Sequence, residues 1–396
     1  MKTNKSRKRL CSALLCLILT VSMLPITGYA GEDEATGGSA VQYPIEINEK
    51  NFPDDNFRAI VSQKDKDRDG FLSAEEIKLV TSLSESGYLT EKDKKIKSLK
   101  GIEYFTSLTR LEVPWYNLSS LDVSKLTNLT YLNFEHNQLT EIDISKNTKL
   151  TSLLCHYNQL TWIDVTSLKQ LGTFINSYNQ YSILLGEDNV FNIDQLPHGF
   201  DVSKASNWKN GSLSGDNTKL TVSDGSKKVT YTYDCGNSKT ATFSLVPTYG
   251  ITVQNDDHGK VTASVASAAQ GEAVTLTAVP NEGYEFKEWQ VISGNITIEN
   301  NQFTMPANPV TVKAIFEQKK YAVTVQNDGN GTASASIASA KVTSAAKGEA
   351  VTLTAEPNDG YEFKEWQVIS GNITIENNQF TKIGRASCRE RVCLYV

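Results

Sequence analysis

A 21-residue period constrains this chain more than any other feature. Leucines at 108, 129, 150 and 171 open four segments, LTRLEVPWYNL, LTYLNFEHNQL, LTSLLCHYNQL and LGTFINSYNQY. A unit of this length cannot bury its apolar stripe alone, so a fixed period means stacked coils with one continuous core. The shared pattern is L-x-x-L-x-L-x-x-N-x-L. Asn137, Asn158 and Asn179 hold the asparagine position, where a buried amide can satisfy backbone groups at the turn. The first segment departs, with Tyr116 there and Asn117 one residue later. Between the segments lie the coil backs LDVSKLTN, IDISKNTK and IDVTSLKQ, and residues 96–107 read as an incomplete entry coil. The stack is assigned to residues 85–185.

This pattern is a leucine-rich repeat, in which positions 1, 4 and 6 point inward. Cys155 is then a small buried hydrophobe, and the adjacent His156 faces outward. Neighbouring strand residues face opposite ways, so these two cannot form a nucleophile–base pair. Outward positions on the concave side include Arg110, Glu112, Tyr131, Asn133, Glu135 and His156. Position 8 carries Trp115, His136, Tyr157 and Tyr178, a ridge at one register. Such a ridge can serve binding or merely hold the stack together. The candidate partner-binding residues are Trp115, Tyr131, His136, Tyr157 and Tyr178.

Upstream, residues 45–84 read as a helix–loop–helix unit. Pro53, Asp54 and Asp55 suit a helix start, and Phe57, Ile60 and Val61 share one face. The next stretch, DKDRDGFLSAEE, fits D-x-D-x-D-G-x5-E. Asp65, Asp67 and Asp69 offer carboxylates, Phe71 its backbone carbonyl, and Glu76 a closing carboxylate. Gly70 permits the sharp turn, and hard oxygen donors at this spacing suit calcium. Ser73 and Glu76 also make a capping box, with Ile77 and Val80 on the apolar face of the exiting helix. Loops of this EF-hand type normally occur in pairs joined through the residue at Leu72. No second loop is visible, so Leu72 must pack elsewhere or the affinity is modest.

Downstream, residues 186–247 alternate short apolar strands with turns and read as a β cap over the open end of the solenoid. Cys235 is placed at a turn, as a free thiol. Residues 248–318 and 319–381 are tandem β repeats. Residues 271–304 recur at 348–381 with differences only at Val279/Glu356 and Glu282/Asp359. Trp289 and Trp366 occupy equivalent positions and are expected in the cores. Near-identical copies suit a spacer or stalk better than an active site.

The ends have a different character. Residues 1–30 have the basic start, apolar run and small-residue exit of a secretory signal peptide, and 31–44 a Gly- and acid-rich linker. No other stretch is long and apolar enough to span a membrane, so no membrane insertion is expected after cleavage. The second β copy breaks off at Thr381, and KIGRASCRERVCLYV follows. That tail, 382–396, reads as a translated sequencing adapter. Without its closing strand the second copy is expected to be marginal, and the tail to adopt no structure. Net charge is −6, from 39 bases and 45 acids, with basic residues concentrated at the two ends. The acidic interior argues against nucleic acid as a partner. Apart from those ends, Cys155 and Cys235 are the only cysteines, so no disulfide framework stabilises this exported chain.

The calcium loop, the 21-residue repeats and β repeats carrying GYEFKEW and MPANPVTVKAIFE together resemble internalin-like surface proteins of Gram-positive bacteria. The β copies resemble divergent internalin B-type repeats. The resemblance implies a multidomain protein: a leucine-rich-repeat solenoid with a helical EF-hand-like N-terminal unit, followed by small all-β repeat domains. It implies a secreted or cell-surface location and a protein partner, on a host or neighbouring cell, held on the concave face. A glycan is the alternative ligand, as in an accessory module of a surface enzyme. No nucleophile motif or phosphate loop appears, so the chain is read as non-catalytic unless a catalytic domain follows residue 381.

Overall fold

The computed structural model describes residues 43–84 and 96–381, with the backbone of 392–395. The signal peptide, nearly all of the linker and residues 382–391 of the tail lie outside the described residues. The described chain is mostly β, with two short α-helices near its start.

The first helix is Asp55–Ser62. Asp54 precedes it in extended conformation, and its Oδ1 accepts from the Asn56 and Phe57 N–H groups at 3.0 Å. Two of the donors that a helix start leaves unpaired are thereby satisfied. The other oxygen of Asp54 accepts from Lys97 N–H at 2.8 Å and Ser98 N–H at 3.2 Å, at the entry to the coils. Phe57, Ile60 and Val61 are buried along one face. The second helix, Ala74–Leu79, opens on the expected capping box between Ser73 and Glu76. Ile77 and Val80 are buried beneath it. Between the helices, Phe71–Leu72 pairs antiparallel with Ile45–Glu46, and Leu72 faces Ile45. Leu72 is fully buried in the core that continues into the coils, so it is covered within its own unit and by the stack.

Five parallel strands then stack in chain order: Ser82–Ser84, Arg110–Glu112, Tyr131–Asn133, Ser152–Leu154 and Thr173–Ile175. From Arg110 onward each residue pairs with the one 21 positions later: Arg110 with Tyr131, Tyr131 with Ser152, Ser152 with Thr173. The entry strand is Ser82–Ser84, upstream of the 96–107 segment and inside the stretch assigned to the calcium loop. Leu83 explains why: its side chain is buried in the coil core. Inward positions of successive coils (Leu111 and Val113, Leu132 and Phe134, Leu153 and Cys155) have no exposed surface.

Buried amides stitch the turns. Asn137 accepts from Leu118 N–H at 2.9 Å and donates to the Val113 and Phe134 carbonyls at 2.8 and 2.9 Å. Asn158 repeats this with Leu139 and Phe134, and Asn179 with Asn158 and Cys155. Each buried peptide group that the turn would orphan thus finds a partner. Asn147 does the same on the coil backs, donating to Val123 and Leu126 carbonyls at 2.9 Å.

The last coil passes into the cap through Gln180–Leu185, which pairs in parallel with Ser244–Tyr249. That partner belongs to one long strand, Lys239–Gln254, which runs without interruption across residues 247 and 248 into the first β repeat. Cys235 lies buried within the strand Val229–Gly236, near its end, and not in a turn; its thiol is free, as is that of Cys155. In the first repeat Val310–Gln318 closes the sheet beside Ile251–Gln254 and Tyr284–Ser293. Trp289 packs on the main core and its Nε1–H donates to Asn301 at 2.9 Å; Trp366 packs on a separate small core and donates to Asn378 at 2.9 Å.

The second copy departs from the sequence expectation. It is folded around Val323, Ala335, Val351, Leu353 and Phe380. The strand Val392–Tyr395 of the tail lies parallel to Lys320–Val325, with Val323 opposite Val392. A short extended segment suffices to occupy an unpaired sheet edge, whatever its origin.

Candidate functional sites

The acidic loop brings three carboxylates together. Oxygens of Asp65, Asp67 and Glu76 lie within 4.8 Å of one another, a group that could hold a metal ion. The backbone enforces this. Asp65 accepts from Arg68 N–H at 2.6 Å and Gly70 N–H at 2.9 Å, and Arg68 and Gly70 both have positive φ. Glu76 reaches back to the Lys66 N–H at 2.5 Å and the Ser73 N–H at 2.9 Å. Hydrogen bonds from Ser73 and then Lys66 hold its carboxyl below the usual range. Asp67 is pushed the other way, by desolvation first, then by its hydrogen bond with Asp65 and the charges of Asp69 and Glu76. Asp69 stands apart from the group of three, with its carboxylate accepting from Phe71 N–H at 2.8 Å. All the side-chain donors are hard oxygens, the chemistry that calcium prefers.

On the coil face, the outward side chains engage one another. Arg110 donates to Glu112 at 2.7 Å and lies 3.7 Å from the centre of the Tyr131 ring. His156 Nε2 sits 2.9 Å from Glu135. Asn133, expected outward, is buried, and its side-chain oxygen Oδ1 accepts from Glu135 N–H at 3.0 Å. Position matters here: Asn133 is the last residue of its strand, and its amide turns in to hold the following turn. Cys155 is fully buried, and desolvation pushes its thiol far up, so His156 has no nucleophile beside it.

The ridge forms a continuous stack in the turns just past the strand ends. Trp115 lies 3.4 Å from His136, His136 4.1 Å from Tyr157, and Tyr157 4.6 Å from Tyr178, centre to centre. The planes differ by only 9–12°. Inner ring faces therefore cover one another, leaving ring edges and the two outermost faces open. Trp115 and Tyr178 are 60% exposed and Tyr157 40%. Tyr131, the fifth candidate, sits apart on the strand Tyr131–Asn133 under Arg110. One property of the ridge escaped the sequence. All four residues have left-handed backbones, with φ of 62°, 54°, 54° and 59° along the chain. Elsewhere among the described residues asparagine and glycine mainly fill that conformation, as sterics dictate.

Residues 249–320 and 321–383 match the family model of the divergent InlB B-repeat domain. These segments coincide with the two β repeats. No curated protein sequence matches the chain. Among solved structures, the functional domain of InlJ from Listeria monocytogenes is similar at 24% identity and a TM-score of 0.28, over 38% of this chain and 36% of that one. Internalin InlF of the same species gives 23% identity and 0.23, over 36% and 52%. Internalin C2, also from that species, gives 17% and 0.20, over 36% and 81%. The match thus spans about a third to a half of the length of the first two. No helix among the described residues is long and apolar enough to cross a membrane.

Proposed function

We propose that this is a non-catalytic, secreted or cell-surface recognition protein of the internalin type. A leucine-rich-repeat solenoid binds a protein on a host or neighbouring cell, calcium sets the N-terminal unit, and the B-type β repeats form a stalk. Support for the stalk comes from the family match to both tandem copies.

The observation that carries the binding reading is the strained ridge. A non-glycine residue held left-handed costs on the order of 1–3 kcal/mol. A stacked aromatic pair returns about 0.5–1.5 kcal/mol beyond the area it buries. Strain at four residues therefore cancels much of what three stacked contacts and their buried area contribute to this ladder. Asparagine, which the chain uses freely at such backbones, would fit with less strain. A costly surface feature of this kind points to use by a partner. The covered inner faces leave a sugar only the two end rings to stack on, whereas a protein's side chains can also pack on the ring edges along the whole ridge, which favours a protein. Asp65, Asp67 and Glu76 would hold the calcium, which supplies the positive charge their convergence lacks.

The test is binding of labelled protein to host and bacterial cells, comparing wild type with a folded Trp115→Ala/Tyr157→Ala variant. Loss of an anchor of about 2 kcal/mol or more weakens Kd by about 30-fold or more. Unchanged binding would move the site off the ridge. A glycan-array signal lost in the same variant would favour the sugar reading instead.

A further inference from the structure

We propose that the β portion of the chain bears tensile load, with parallel strand pairs at its junctions acting as shear clamps. The argument begins with topology. Most pairings inside the first β repeat are antiparallel, as in Gly259–Ala263 with Ala273–Pro280, or Tyr284–Ser293 with Val310–Gln318. Where the chain enters and leaves, the hand changes. Ile251, Thr252, Val253 and Gln254 pair in parallel with Val310, Thr311, Val312 and Lys313. One junction upstream, Gln180–Leu185 pairs in parallel with Ser244–Tyr249.

Parallel pairing of an entry strand with an exit strand has a mechanical consequence. Tension on the chain draws the start of one strand and the end of the other in opposite directions along their common axis. The bonds between them lie across that axis and are strained together. Strands pulled from the same end would instead separate bond by bond. The clamp also has a dry backing, since Val310, Val312, Ala314 and Phe316 are buried, and water cannot readily replace the ladder bonds there.

The load path is nearly all strand. Lys239–Gln254 runs from the cap into the first repeat, and a single residue, Lys319, separates Val310–Gln318 from Lys320–Val325. At that joint the Lys319 N–H donates to the Gly283 carbonyl at 2.8 Å, and Lys347 pairs with Glu282 at 2.7 Å. A stalk needs only length. Resistance to shear goes beyond that reading, and it can fail while partner binding stands.

Single-molecule pulling on the full chain tests it. Handles incorporated at Ser238 and Lys319 load the clamp in shear, while handles at Asp257 and Lys319 peel the same pair from one end. The expected result is a several-fold higher rupture force in shear, with release of about 200 Å as roughly 60 residues extend. Equal forces in the two geometries would overturn the clamp. A variant refines the test. The Ile251 N–H donates to the Ala266 carbonyl at 2.9 Å, so the next N–H, of Thr252, points to the opposite edge, where Val310–Lys313 lies. Thr252 is exposed, and Thr252→Pro deletes that donor without touching the core. The shear force should fall and the peeling force should not. If the variant fails to fold, the two wild-type geometries decide alone.

Discussion

The imidazole of His136 lies flat on the indole of Trp115, 3.4 Å away, with Tyr157 covering its other face at 4.1 Å. This sandwich lowers the His136 pKa from the usual 6.5, chiefly through desolvation, with His156 adding to the effect and Glu135 opposing it. The unfolded chain then takes up the proton more readily than the folded one. Stability should be fully present above about 6.5 and decline as pH falls below it toward the folded value. An NMR titration of the His136 ring should give a midpoint below 6.5, moving up in Trp115→Ala. A midpoint at or above 6.5 would contradict this.

At Tyr157 two small substitutions should separate strain from stacking. Alanine and glycine both lose the ring, but only glycine accepts a φ of 54° without strain. Tyr157→Gly should therefore be more stable than Tyr157→Ala by about 1 kcal/mol. Urea unfolding measures the difference. Equal stability would mean that the turn relaxes, and that the ladder is not strained.

Calcium should raise the melting temperature. With a Kd of about 10⁻⁴–10⁻³ M, ten-fold excess ion contributes about 1.4 kcal/mol. Glu76→Gln keeps the capping box, because a glutamine can still accept from Ser73, but removes the closing charge and the oxygen that accepts from the Lys66 N–H. The calcium-free melting temperature should therefore fall modestly, and the shift on adding calcium should shrink. No heat in a calorimetric titration, and no shift at millimolar calcium, would remove the ion from the proposal.

Cys155 and Cys235 should not react with Ellman's reagent in the folded protein. Burial pushes the Cys235 thiol up to about 12, and Cys155 further still. Nucleophilic thiolate is therefore scarce at neutral pH. Reaction should appear only with denaturant. Rapid labelling of either thiol under native conditions would show that the region opens locally.

The coils were the most legible region, because periodicity reports directly on stacking. Leu111, Leu132 and Leu153 recur every 21 residues and lie in adjacent strands. The capping box and the buried face of the first helix were equally local, and equally readable. What escaped depends on contacts distant in sequence. Ser82–Ser84 carries no repeat signature, and only Leu83 against the next coil makes it a strand. Asn133 looks outward by alternation, but a hydrogen bond with the following turn draws it in. The left-handed ridge was hidden because aromatic residues give no hint of positive φ; asparagine or glycine there would have. The parallel pairing of Ile251 with Val310 joins residues whose composition says strand but not direction.

Asp54 binds two elements at once, capping the first helix with one oxygen and receiving Lys97 and Ser98 with the other. Helix and coil entry consequently share one opening event. Amide protons at Phe57 and Ser98 should exchange with similar protection, as members of one foldon. The end of the stack is then guarded from outside its own repeats, and fraying there is governed by a carboxylate more than forty positions upstream.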